Sequence, residues 1–207
     1  GETLPDAAAQ RTETAEAREF PLRAALRTQQ FWLIALATSM RVVCSSAVLV
    51  HFVPILVWRG LTEQRAAVFL AFVALLGMPT HLLIGWLGDR IDKPRLMATC
   101  MAIGSLSLLL IFRGDTDWHL WPGLALFALF EGLFPVTWAT VSDFFGRRNF
   151  AKIRGSMSFF YMWGSVIGPV AAGVVYDHTK SYDALLWGLL AICALTALCY
   201  ALLKRPK

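Results

Sequence analysis

Long apolar runs separated by short charged connections organise this chain: Gln30 to Trp58, Thr62 to Gly88, Leu96 to Phe112, His119 to Phe145, Ser156 to Tyr176 and Ala184 to Leu203. Each is long enough to cross a hydrocarbon layer as a helix, which takes about 20 mostly apolar residues. A membrane β-barrel would show short segments of alternating polarity, and "SLSLLLIF" or "LLWGLLAICALTAL" shows no such alternation. The pattern predicts an all-α, polytopic membrane protein with six transmembrane helices over residues 30–203. Residues 1–29, with "TLPDAAAQRTETAEARE", read as a flexible linker, and residues 204–207 as a short tail. Trp32, Trp58, Trp86, Trp118, Trp121 and Trp187 fall near the span ends, where indole rings sit at headgroup level, while Trp138 and Trp163 lie deeper and are expected to pack.

Composition agrees with this reading. Only 16% of residues are charged and 57% are hydrophobic, with a mean hydropathy of +0.57, whereas a soluble domain carries roughly 25% charged residues. The net charge of +5 is distributed unevenly. Arg11, Arg18, Arg23, Arg27, Arg90, Lys93, Arg95, Arg147, Arg148, Lys152, Arg154, Lys204, Arg205 and Lys207 fall on one side of the predicted topology. Only Arg59, Arg65, Arg113 and Lys180 fall on the other. By the positive-inside rule both termini are expected in the cytoplasm, as an even number of spans requires, and the basic charge calls for no nucleic-acid partner. Cys44, Cys100, Cys193 and Cys199 all lie within apolar runs, so packing rather than a disulfide or metal site is expected. No cofactor is implied.

Two ionisable residues stand in the wrong solvent. Arg41 lies about ten residues into the first span and Glu131 about a dozen into the fourth, roughly 15 to 18 Å deep at 1.5 Å per residue. A charge at that depth costs about 2.5 to 3.5 kcal/mol on insertion scales, so each is a candidate functional group. They could form a static ion pair between helices or face a water-filled path as substrate and coupling groups. His51 and His81 are weaker candidates, each equally readable as a packing histidine.

The two halves of the chain show a faint repeat. Arg41 and Glu131 stand 90 positions apart, and "GWLGD" (Gly85 to Asp89) and "GVVYD" (Gly173 to Asp177) stand 88 apart, suggesting three spans repeated once with inverted topology. In "GSVIGPVAAG", Gly164 and Gly168 have the spacing of close helix contact, followed by Pro169 and Gly173. Packing and a transport hinge are both open there.

The stretch "GWLGDRIDKPR" resembles the loop motif of the major facilitator superfamily, Gly-x-x-x-Asp-Arg-x-x-Lys/Arg-x-Lys/Arg, through Gly85, Asp89, Arg90, Lys93 and Arg95. With the polar segment before the first span, "DFFGRRNFAKIRG" after the fourth and the glycine-rich fifth span, the resemblance covers roughly Glu19 to Leu203. It is closest to the C-terminal half of the monocarboxylate and oxalate/formate antiporter branch. It implies a plasma-membrane transporter for a small organic anion, by symport or antiport, with a partner six-helix half not contained in this sequence. The first and fourth helices of each half would line the cavity, which places Arg41 and Glu131 there. Asp89 would meet a helix end of the other half and latch the inward gate, with Gly85 and Gly88 allowing close approach. The branch's substrate-binding arginine position is His81 here, and the fifth span has no lysine, which leaves Arg41 as the anion partner.

An intramembrane serine protease is the enzymatic alternative. The sixth span holds no histidine and the fourth no Gly-x-Ser-Gly, so no enzyme is expected. The other alternative is a non-transporting half that binds a partner chain. Alone, such a half would be expected to expose Arg41 and Glu131 to lipid.

Overall fold

A computed structural model describes residues 20–113 and 117–204, all the regular structure of which is helical. In chain order the helices are α1 (Leu22–Ala25), α2 (Gln29–Val50), α3 (Phe52–Trp58), α4 (Glu63–Gly88), α5 (Lys93–Arg113), α6 (Asp117–Glu131), α7 (Phe134–Phe145), α8 (Phe150–Thr179) and α9 (Asp183–Ala201). Among the described residues, six stretches are long and apolar enough to cross a membrane. The third and fifth, Lys93–Arg113 and Phe150–Thr179, run past their apolar runs, because helical hydrogen bonding continues into the charged turns beyond them.

Two spans are broken where the sequence pattern is continuous. The first passes from α2 to α3 through His51 (φ −93°, ψ 12°), and the fourth passes from α6 to α7 through Gly132 and Leu133. Proline supplies the local reason: Pro54 and Pro135 have no N–H for the carbonyls of Val50 and Glu131 four residues earlier. Proline alone is not sufficient, since Pro79, Pro122 and Pro169 lie inside helices that continue. At both breaks the chain is also held from outside: His51 is bonded to Pro169 of α8 and to Tyr182 just before α9, and Gly132 lies so close to the Thr80 carbonyl that an added Cβ would stand 3.0 Å from its oxygen.

The principal packing partners are spans one with five, one with six, two with four, three with four and three with six. Advancing each span number by three turns this set into itself, which is the packing of three spans repeated once. Since three is odd, the second copy enters from the opposite end of the bundle.

The basic connections share one end. Phe20 N–H donates to the carbonyl of Phe145 (3.1 Å), one of the acceptors left open at the C-terminus of α7, and Asn149 Nδ2 donates to the Phe20 carbonyl (3.1 Å). The two rings meet edge to face at 5.8 Å. Flexibility was expected through residue 29, but from Phe20 onward the chain is docked by these contacts and by Ala25, which is fully buried. Residues 1–19 lie outside the described residues. Thr28 then caps α2 by accepting from Phe31 N–H (3.2 Å).

At the other end of the bundle, Arg59 donates to the Ile111 carbonyl and Arg113 pairs with Asp183 at 3.5 Å. The core between the ends is built from large buried side chains on every span, among them Phe31, Phe52, Met101, Phe127, Phe145 and Tyr200. All four cysteines are buried thiols; those of Cys44 and Cys193 stand 3.7 Å apart. The least buried spans are α4 and α8. Their apolar faces, with Leu75, Met78, Leu82, Phe159, Met162 and Val170, are exposed.

Candidate functional site

The interruption of the fourth span brings the candidate site together. Helix α6 ends on Glu131, and α7 begins with Phe134 one short turn later. Opposite them, α2 carries Arg41 about 18 Å from its first residue, near mid-depth.

Arg41 is not exposed at an open face as expected of a lone half. It is 3% exposed, sheltered within this half by the rings of Phe130 and Phe134, whose centroids lie 5.7 and 5.2 Å from the guanidinium carbon. Phe130 is itself fixed in a notch over Gly104, where an added Cβ would stand 2.6 Å from its ring. No ion pair joins Arg41 to Glu131. Nε and Nη1 of Arg41 are enclosed without hydrogen-bond partners, and so is Oε1 of the half-buried Glu131.

Thr38 Oγ1, one turn before Arg41, Tyr200 Oη on α9 and Trp138 Nε1 on α7 are also enclosed and unpartnered. Leaving such a group unsatisfied costs about 1 to 3 kcal/mol, more when charged. Arg41 and four further residues of this half thus hold polar atoms that the fold leaves unspent. Apart from Glu131, every orphaned atom can donate, which suits an anion.

The histidines are placed elsewhere. His51 sits about 15 Å along the chain path from Arg41, bonded through Nδ1 to Tyr182 Oη (3.0 Å) and through Nε2 to the Pro169 carbonyl (3.1 Å). A carbonyl only accepts, so Nε2 donates to Pro169, while the tyrosine hydroxyl can donate to Nδ1 or accept from it. Tyr182 is stacked on Tyr176 at 4.6 Å and meets Trp58 edge to face. Burial first, then the neighbouring Tyr176 and Asp177, push its hydroxyl above the ordinary tyrosine range. His81 donates from Nδ1 to the Gly77 carbonyl of its own helix (2.6 Å).

At the basic end, Gly85 has open space beside it, while Gly88 packs on Val136. Asp89 and Arg95 are exposed, and Arg90 lies over the Trp86 ring at 3.7 Å. Lys93 Nζ reaches Asp143 Oδ2 at the end of α7 (2.8 Å). A cavity of about 510 Å³ lies between this loop, Thr140, Phe144 and Lys204. Asp143 was missed in the sequence, although a carboxylate just before a glycine and two arginines in "SDFFGRR" is a signal that could have been used. The Lys93–Asp143 pair is partly exposed, and a double-mutant cycle with Lys93→Ala and Asp143→Ala is expected to give a coupling of about 0.2 to 1 kcal/mol. Thermal unfolding in detergent measures it, and a coupling above about 2 kcal/mol would contradict a solvent-screened pair.

Gly164 and Gly168 of α8 face α2. A Cβ at Gly164 would stand 2.7 Å from the Ser39 carbonyl oxygen, and one at Gly168 would stand 2.5 Å from the Val43 carbonyl oxygen. Ser46 Oγ donates across this contact to the Gly164 carbonyl (3.0 Å). Gly173 stands next to the His51 ring.

Residues 62–207 match the family model of the Major Facilitator Superfamily. The chain belongs to that superfamily. As a major facilitator protein with six apolar spans it is an integral membrane protein. Its curated relatives include Monocarboxylate transporter 12-B of Danio rerio, 26% identical over 65% of this chain, and Monocarboxylate transporter 11 of Homo sapiens, 26% identical over 65%. The match takes up 29% and 31% of those two proteins, so the chain spans about a third of the relatives' length.

Proposed function

We propose that this chain is the C-terminal six-helix half of a secondary transporter for a small organic anion such as a monocarboxylate. It works by alternating access in the plasma membrane, with both termini cytoplasmic and coupling to a proton or a counter-anion. One observation carries the reading: a permanently charged arginine at mid-depth, enclosed and without an acceptor for two of its nitrogens. The superfamily supports a transporter, and the names of the relatives support the same substrate class. The exposed apolar faces of α4 and α8 are where the other six-helix half would close, whether from the same polypeptide or a second chain.

In this mechanism Arg41 holds the carboxylate and Glu131, not spent in an ion pair with it, exchanges a proton as the halves rock around the mid-depth site. The coupling role is tested with the full-length protein in proteoliposomes loaded with buffer, followed by uptake of labelled lactate under an imposed pH step. Glu131→Gln is expected to abolish the acceleration by the pH step while exchange of lactate for lactate persists. An unchanged response to the pH step would remove Glu131 from the coupling.

A further inference from the structure

The donors around Arg41 do not end at mid-depth. Phe134 and Trp138 stand four apart on α7, on one face of the helix, and Arg154 and Tyr161 stand seven apart on α8, also on one face. The rings of Phe134, Trp138 and Tyr161 close a triangle: 5.6 Å from Phe134 to Trp138, 5.7 Å from Trp138 to Tyr161 and 6.1 Å from Phe134 to Tyr161. The Arg41 guanidinium caps one corner, 5.2 Å from Phe134, and the Arg154 guanidinium caps another, 4.8 Å from Trp138. Arg154 is exposed one turn into α8, at the basic end of the bundle, whereas Arg41 is enclosed at mid-depth. Between the two cations lies a third donor, Trp138 Nε1, 8% exposed and without a partner.

We propose that Arg154, Trp138, Tyr161, Phe134 and Arg41 form one ladder that selects a monocarboxylate carrying an aromatic ring. This deepens the function proposed above and rests on it. A carboxylate entering at the basic end meets Arg154 first, passes the Trp138 N–H and reaches the unspent donors of Arg41, so an N–H donor is available at each step. Such a relay serves any carboxylate. The three rings add the selectivity, because Phe134 already meets Trp138 at 87° and Tyr161 at 83°, leaving edges and faces fixed for a further edge-to-face contact. Branched aliphatic side chains in these places would favour any apolar body equally, and an acid as small as acetate has no ring to meet these rings edge to face while its carboxylate sits on Arg41. Phe134 and Tyr161 are half-buried, so their open sides remain available to a ligand.

Competition against labelled lactate uptake by the full-length protein in proteoliposomes tests the ladder, with acetate, cyclohexylacetate and phenylacetate as probes of equal charge. Phenylacetate is expected to inhibit at about tenfold lower concentration than cyclohexylacetate, and at lower concentration still than acetate. Replacing Tyr161→Leu or Trp138→Leu should collapse the phenylacetate to cyclohexylacetate ratio towards one; a side chain that only packs would change uptake without changing that ratio. Trp138→Phe keeps an aromatic ring and removes the N–H, so it should weaken inhibition by all three acids alike and keep the ratio above one, and it guards against loss of folding. Equal inhibition by phenylacetate and cyclohexylacetate in the unaltered protein would overturn the ladder and leave anion transport standing. Absence of lactate uptake together with no protection by phenylacetate against thermal unfolding would overturn both.

Discussion

Arg41→Gln is expected to lower anion uptake by the full-length protein by about 100-fold or more while raising its thermal stability. The two signs follow from one fact. Hydrogen bonds from a charged donor contribute about 1.5 to 3 kcal/mol each, and each 1.4 kcal/mol is a factor of ten, so losing two bonds to a bound carboxylate accounts for the drop. In the resting structure, however, the same guanidinium has no acceptor at Nε or Nη1, and an intramembrane cation costs about 2.5 to 3.5 kcal/mol. Removing that charge relieves the fold. A gain of even 1 kcal/mol would move the midpoint upward by about 2 to 4 °C for a domain of this size. A structural ion pair would behave in the opposite way, since breaking a buried pair destabilises by about 3 to 5 kcal/mol. Initial rates of uptake and unfolding in detergent, measured on the same preparations, separate the two cases. Normal uptake by Arg41→Gln would end the assignment. Arg41→Lys tests geometry as well as charge, because a point ammonium cannot reproduce the fork that binds both carboxylate oxygens, and it should stay at least about tenfold below the parent.

The cost of burying a charge made Arg41 and Glu131 stand out in the sequence, but neither their separation nor the rings over the guanidinium was legible there. Residue spacing along a span gives depth well and direction poorly. Nothing in "ALFEGLFP" sets Phe130 and Phe134 apart from the other apolar side chains, and only the packing of the fourth span on α2 places both rings at Arg41. The break at Gly132 was hidden for a related reason. Five prolines lie within the apolar spans outside the pattern's resolving power, and only Pro54 and Pro135 coincide with an interruption, because only there does another helix hold the turn. His51 and His81 could not be separated from packing residues by type; the partners of His51, a tyrosine hydroxyl and a carbonyl, come from contacts that no local window contains, whereas His81 bonds only one turn back in its own helix. Lys93 and Asp143 lie fifty positions apart, on different spans, so their pairing depends on tertiary placement. What periodicity and charge did expose was the number of spans and the gathering of the basic connections at one end.

Gly168→Leu is expected to be the most damaging single change to the bundle itself. The α2·α8 contact is the most extensive between any two spans, and at Gly168 it is a contact between backbones: an added Cβ would stand 2.5 Å from both the Val43 carbonyl oxygen and Ser46 Oγ, and 3.1 Å from the Ala47 nitrogen. Main-chain atoms of a helix cannot rotate aside as a side-chain tip can, so α8 must move bodily away. Overpacking of this kind costs about 1 to 3 kcal/mol and occasionally more, and here separation would also strain the Ser46 to Gly164 hydrogen bond and the His51 to Pro169 bond on the same face. Folded protein recovered from membranes should fall severalfold, with a midpoint lowered by several degrees in what remains. Gly77→Ala provides the contrast. Nothing lies within 4 Å of a Cβ built at Gly77, and alanine favours a helix over glycine by about 1 kcal/mol, so that variant should be neutral or slightly stabilised. Equal damage from both would mean that glycine matters in these spans for helix flexibility. Damage confined to Gly168→Leu would place its role in the approach of α8 to α2, the helix that carries Arg41.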